Sequence, residues 1–191
     1  IDGVLDLPNA GDQDSFAEMR LSDLVDHILD KHHVYTKDET YHLTPLMAKV
    51  ATRHGEHNPY LIELKGLFQS LCEDLAPHMM KEEMVLFPYI QKLEYSYANH
   101  LNVSYPPFGT VRHPVNMMEI EHDEVGELLA KMRAVTNDYT LPAEACPSFT
   151  ALYLRLGELE RDLHQHIHLE NNLLFPRAIE MEQIVFSPVV N

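Results

Sequence analysis

Positive charge is what this chain most lacks: 14 Lys and Arg stand against 30 Asp and Glu, a formal charge of −16 over 191 residues. Such a surface repels nucleic-acid phosphates and anionic lipid alike, so neither is an expected partner, whereas a cation is. Cysteine is nearly absent. Cys72 and Cys146 lie far apart in no metal-binding or redox spacing, which argues against a disulfide framework and fits a reducing, cytoplasmic compartment. Only seven glycines speak against a loop-rich β design. No apolar run approaches the ~20 residues a bilayer span requires, so no membrane segment is expected. The chain opens at Ile1 rather than Met, which is compatible with a removed leader or an upstream domain.

What is present is enough apolar residue, 45%, for one domain with a real core. Residues 1–18 are acidic and punctuated by Gly, Pro and Asn, which predicts a mobile lead-in before a bundle spanning 19–185. Helical spacing runs from Leu21 to about His54 through Leu24, Ile28, Leu43, Leu46, Met47 and Val50, and Gly55 with Asn58-Pro59 supplies the stop. A second helix carries the stripe Leu64, Phe68, Leu71, Leu75, Val85, Tyr89, whose two missing seam positions are His78 and Glu82. The segment 96–114, with three prolines and a glycine, reads as the longest connection. A third helix carries Val115, Met118, Val125, Leu129 and Met132, with His122 filling its gap, and residues 136–147 form a loop. The fourth has Phe149, Leu152, Leu156, Leu159, Leu163 and Leu173, with His166 and Glu170 in the stripe. Four helices with one apolar stripe each predict an all-α, antiparallel four-helix bundle.

The chemistry lies in an internal repeat. DLAPHMMKEEMVLFP (74–88) and DLHQHIHLENNLLFP (162–176) both read Asp-Leu-x-x-His-x-x-x-Glu-x-x-x-Leu-Phe-Pro, 88 residues apart (166 − 78). The same step relates helix one to helix three within one residue, since His122 falls opposite Val34, next to His33. The chain therefore reads as two helical hairpins related by a pseudo-two-fold axis.

Residues four apart share a helix face, so each motif aims an imidazole and a carboxylate at one spot. An ionised carboxylate on an apolar seam is costly unless a cation compensates it. Imidazole and carboxylate without thiolate suit iron or manganese, with zinc an alternative, and two glutamates with four histidines suggest two adjacent ions bridged by Glu82 and Glu170. Helix one leaves a tie: periodicity puts His32 nearer the middle of the stripe and His33 toward its edge. His54 lies ~30 Å beyond His33 along a straight helix at about 1.5 Å per residue, and reads as a helix-end residue favourable to the dipole. Asp74 and Asp162, one turn before the motif histidines, are either ring-orienting acceptors or solvated residues. Glu121, beside His122, is placed to line access to the ions. His27, His42, His57, His100, His113, His164 and His168 read as surface or connection residues.

These residues resemble a known family, the iron-sulfur cluster repair di-iron proteins (the repair-of-iron-centres family) within the wider hemerythrin-like group. The matching stretches are KHHVYTKDE, KVATRHGEHNP, HMMKEEMVLFP, EHDEVGELL, PAEAC and HIHLENNLLFPRA, spread over residues 31–178. The resemblance implies a hemerythrin-like fold and makes His33 the helix-one ligand, joined by His78, His122 and His166, with Glu82 and Glu170 bridging two irons that share an oxo or hydroxo bridge. It also aligns His54 with a histidine common in the family, which leaves it a supporting role. It implies repair of clusters damaged by nitrosative or oxidative stress, by iron donation to damaged or apo iron-sulfur proteins. Alternatives at the same centre are a nitric oxide reductase-type or oxidase-type enzyme acting on nitric oxide, peroxide or oxygen, and an oxygen-binding or gas-sensing hemerythrin-like protein. Two departures bear on this. Residues 1–20 carry nothing like the cysteine-bearing amino-terminal module of the family, and the oxygen-carrier ligands are missing, since position 126 is Gly and position 171 is Asn.

Overall fold

The computed structural model describes residues 16–101 and 103–187; most of the expected lead-in, 1–18, lies outside them. Among the described residues, four long helical rods make up the fold. The first joins α1 (Leu21–His27), a π segment (Ile28–His33) and α2 (Val34–His54). The second joins α3 (Tyr60–Lys81), a π segment (Glu82–Leu86) and α4 (Phe87–Ala98). The third is α5 (Arg112–Thr136), and the fourth joins α6 (Pro147–Leu169), a π segment (Glu170–Leu174) and α7 (Phe175–Phe186).

The rods end where the sequence offers stops. α2 closes at Gly55, and α5 closes on Asn137, whose φ of 49° begins a left-handed turn continued by Asp138 and Tyr139. α6 starts with Pro147 in its first turn, where a missing amide costs nothing. α1 packs on α4 while α2 packs on α3, so the first two rods run antiparallel, and α2 also packs along α6. No helix among the described residues is long and apolar enough to cross a membrane.

The core is split in two. One apolar slab gathers Leu43, Met47, Leu64, Phe68, Leu129 and Leu156 with their neighbours from α2, α3, α5 and α6. The other gathers Leu24, Ile28, Phe87, Ile90, Val115 and Phe175 from the opposite ends of the rods. Between them lies a layer of buried histidines and glutamates.

The π segments correct the expected seam. Val85 is 46% exposed and Leu173 only partly buried, whereas Leu86 and Leu174 are sealed in the core. In each motif rod the amide after the π turn reaches back five residues, Phe87 to the carbonyl of Glu82 and Phe175 to that of Glu170. The added residue rotates the following stripe by about 100°, moving the seam one position along. The repeat supplies a reason: Pro88 and Pro176 follow immediately, lack an amide and crowd the carbonyl four residues back, which a wider turn relieves. α5 contains neither a π segment nor such a Leu-Phe-Pro.

Candidate metal centre

The polar layer brings six side chains together. His33, Glu82, His166 and Glu170 form one quartet of ligand atoms within 4.8 Å of one another, and His78, Glu82, His122 and Glu170 form a second. Both glutamates belong to both quartets. All six residues are buried, and the two carboxylates have 0% exposure. Each glutamate is the first residue of its π segment, so the wide turn and the seam carboxylate coincide.

The atoms facing inward set lone pairs against one another. Nε2 of His78 and Nε2 of His122 stand 3.1 Å apart, each aimed at the other although an imidazole nitrogen there is best used as a lone-pair donor. His166 Nε2 lies 3.0 Å from Glu170 Oε1, and His122 Nε2 lies 3.2 Å from Glu170 Oε2. Both oxygens of Glu82 and the Nε2 of His33 are buried without a hydrogen-bond partner. Buried polar atoms in native proteins are almost always satisfied, and orphaned carboxylate oxygens are among the costliest exceptions. Two divalent cations would take these lone pairs and offset the charge, so the residues present fit metal.

Protonation follows the same logic. Burial, then the neighbouring Glu170 carboxylate, raises the Glu82 carboxyl well above its usual range. Burial opposes ionisation of Glu170 too, but His166 and His122 beside it hold that carboxyl well below. The pair thus keeps a proton when no cation is there. Burial, with His166 nearby, pushes His33 down to about 4, and burial also lowers His78, so both imidazoles are neutral and ready to ligate at neutral pH. His122 is opposed by burial, yet the adjoining Glu170 raises it.

Outside the six stands a set of Nδ1 acceptors. His33 Nδ1 lies 2.8 Å from Glu83 Oε1, His78 Nδ1 lies 2.8 Å from Glu121 Oε2, and His122 Nδ1 lies 2.9 Å from Asn171 Oδ1. Lys37 and Lys81 close two of these chains by binding Glu83 and Glu121. Hydrogen bonds of this kind fix the ring and leave Nε2 free for a metal.

The tie in helix one has a structural basis. Within the first π segment His32 and His33 are both buried, but only His33 reaches a quartet. His32 Nδ1 pairs with Asp162 Oδ1 at 3.0 Å, and its ring stacks on that of His166. Asp162 thus orients His32 rather than His166, and Asp74 is exposed. His54 ends α2 and places Nε2 3.1 Å from Cys146 Sγ, in neither quartet. Glu83 carried no signal on its own. Its place directly after Glu82 matches that of Asn171 after Glu170, a correspondence that gains meaning only once packing sets both against a ring nitrogen.

Four antiparallel rods clasping a buried layer of imidazoles and shared carboxylates define a class, the helical bundle with a cation-binding waist. The chain belongs to the hemerythrin HHE cation-binding domain family, whose model matches residues 24–178. It is 36% identical over 165 residues to a probable iron-sulfur cluster repair protein of Haemophilus influenzae, covering 86% of this chain and 66% of that one. It is 38% identical over 162 residues to the iron-sulfur cluster repair protein YtfE of Escherichia coli O81, covering 85% and 68%, and the figures are the same for YtfE of Escherichia fergusonii. The chain thus spans about two thirds of the length of these curated relatives.

Proposed function

We propose that the two quartets hold two iron ions bridged by Glu82 and Glu170, and that the chain supplies iron to iron-sulfur proteins damaged by nitrosative or oxidative stress. The observation that carries this reading is the sharing of two fully buried carboxylates between both quartets, with both oxygens of Glu82 unpartnered. His33 and His166 would be the terminal ligands of one ion and His78 and His122 those of the other. Bound iron would supply redox chemistry and open coordination positions for nitric oxide, oxygen or peroxide, since six protein side chains leave both ions incompletely surrounded. The relatives' names support the repair role, and the donor set supports the exchange. Ferrous iron lies low in the divalent affinity order, so imidazole and carboxylate can hold it and still release it. The recipients in this reading are damaged or apo iron-sulfur proteins in a reducing, cytoplasmic setting, where Cys72 and Cys146 stay as free thiols.

Iron-loaded protein incubated anaerobically with an apo cluster scaffold and a sulfide source tests it. Cluster absorbance should grow on the scaffold as iron leaves the chain, and Glu170→Ala should transfer little because it retains little. Iron that stays bound while the scaffold remains empty overturns donation. Catalytic turnover of nitric oxide or peroxide under the same conditions would favour the enzyme reading instead.

A further inference from the structure

We propose that the two ion positions are unequal, the one between His33 and His166 being the weaker, filled last and emptied first. The inference rests on the binuclear reading above and comes from the ring of groups outside the ligands. The pseudo-two-fold axis pairs these groups. Glu83 and Asn171 each follow a shared glutamate and each accept from the single histidine of the neighbouring rod, His33 and His122. Glu121 and His32 each precede that single histidine. Glu121 uses its position to accept from His78 Nδ1 at 2.8 Å.

His32 does not do the same for His166. Its Nδ1 is engaged by Asp162 at 3.0 Å, and its ring lies parallel to the His166 ring at 5.5 Å and 10°. His166 Nδ1 and His32 Nε2 are left buried without a partner. One of the four histidines therefore has no protein acceptor behind it, and the other three do. An acceptor on Nδ1 orients the ring and makes Nε2 a stronger donor, and losing one lowers metal affinity about 10- to 100-fold. The lysines do not cancel the difference, because Lys37 on Glu83 and Lys81 on Glu121 temper one acceptor in each half equally. What remains is an amide behind His122 against nothing from the protein behind His166. His32 is thus a positioning residue whose identity sets the order of release.

The experiment loads metal-free protein anaerobically with Fe(II) to saturation, counts ions per chain, and then follows release to excess ferrozine. Two phases of equal amplitude are expected, with rates about tenfold or more apart. Glu121→Gln should speed the slow phase and leave the fast phase alone, whereas a general loosening of the bundle would speed both. His32→Glu should slow the fast phase toward the slow one. Because that variant buries a new carboxylate beside Asp162, crystals of unaltered protein grown with one equivalent of Co(II) provide an independent readout. Anomalous density should appear between His78 and His122. Density between His33 and His166, or a single release rate for two bound ions, overturns the inference. Saturation below two ions per chain would instead remove the binuclear reading beneath it.

Discussion

The two hairpins of this bundle hold the same six-residue centre in unlike frames. Among the described residues, the first hairpin contributes two π segments and the second one. The first backs its ring nitrogen at His33 with the carboxylate of Glu83, and the second backs His122 with the amide of Asn171. Even the matching imidazoles respond in opposite senses, His33 lowered and His122 raised. What repeats is the part that charge compensation demands, the buried histidines and glutamates. The surrounding partners need only orient a ring, a task that several side chains can perform, and there the halves have diverged.

Removing a shared carboxylate should erase the comparison altogether. Under the binuclear reading, Glu82→Gln is expected to lose at least one of the two ions, read as iron per chain after gel filtration. The apolar change Glu82→Leu should stabilise the metal-free protein by about 1–3 kcal/mol in urea, since it removes two buried oxygens without a partner. Glu82→Gln protein that keeps two ions would break the claim that both halves depend on common bridges.

The π turns predict the next largest effect, and it should be alike in both hairpins. Leu86→Ala and Leu174→Ala should each cost about 2–5 kcal/mol, because those residues seal the core. Val85→Ala and Leu173→Ala should each cost less than about 1 kcal/mol. Equal losses at adjacent positions in chemical denaturation would mean that the seam does not shift.

Acid should separate His33 from His122. In metal-free protein His33 titrates at about 4 while the unfolded chain takes up that proton near 6.5, so the unfolded state binds more protons in between. Stability from this group is therefore intact above pH ~6.5 and falls toward pH ~4 by up to roughly 1.4 kcal/mol per unit, a slope that His33→Gln should flatten. His122 has the opposite sign: its raised folded value adds stability below the unfolded pKa that disappears as pH rises through the folded one. Ring-proton NMR titration of the two histidines checks the order.

The smallest contrast concerns the thiols. Burial pushes Cys72, in the first hairpin, up to about 11, whereas the backbone amides of Phe149 and Ser148 at the start of α6 lower Cys146, in the second. Iodoacetamide at pH 8 should modify Cys146 first, as peptide mass mapping would reveal, and Cys146→Ser should leave a chain that reacts slowly.

The helices and most of the centre were legible because both rest on local patterns. Leu64, Phe68, Leu71 and Leu75 face inward wherever a helix forms, and two buried-seam glutamates in register declare a need for charge. The stripe failed at Val85 and Leu173, where a fixed period of 3.6 cannot register an inserted residue, although the prolines at 88 and 176 marked the places. The choice between His32 and His33 was likewise beyond periodicity, because the first π segment turns both rings inward. The Nδ1 acceptors Glu83 and Glu121 come from neighbouring rods, 50 and 43 positions away in the chain, a relation only packing can reveal.

A core divided into two oily blocks by a polar waist behaves differently from a continuous one. Metal seated at the waist would fasten the blocks together; without it, unfilled lone pairs meet there, and the molecule should be softest at its own middle. Under the donor reading proposed above, a chain emptied of metal would be a more pliant object than a loaded one, so stiffness itself would report its loading.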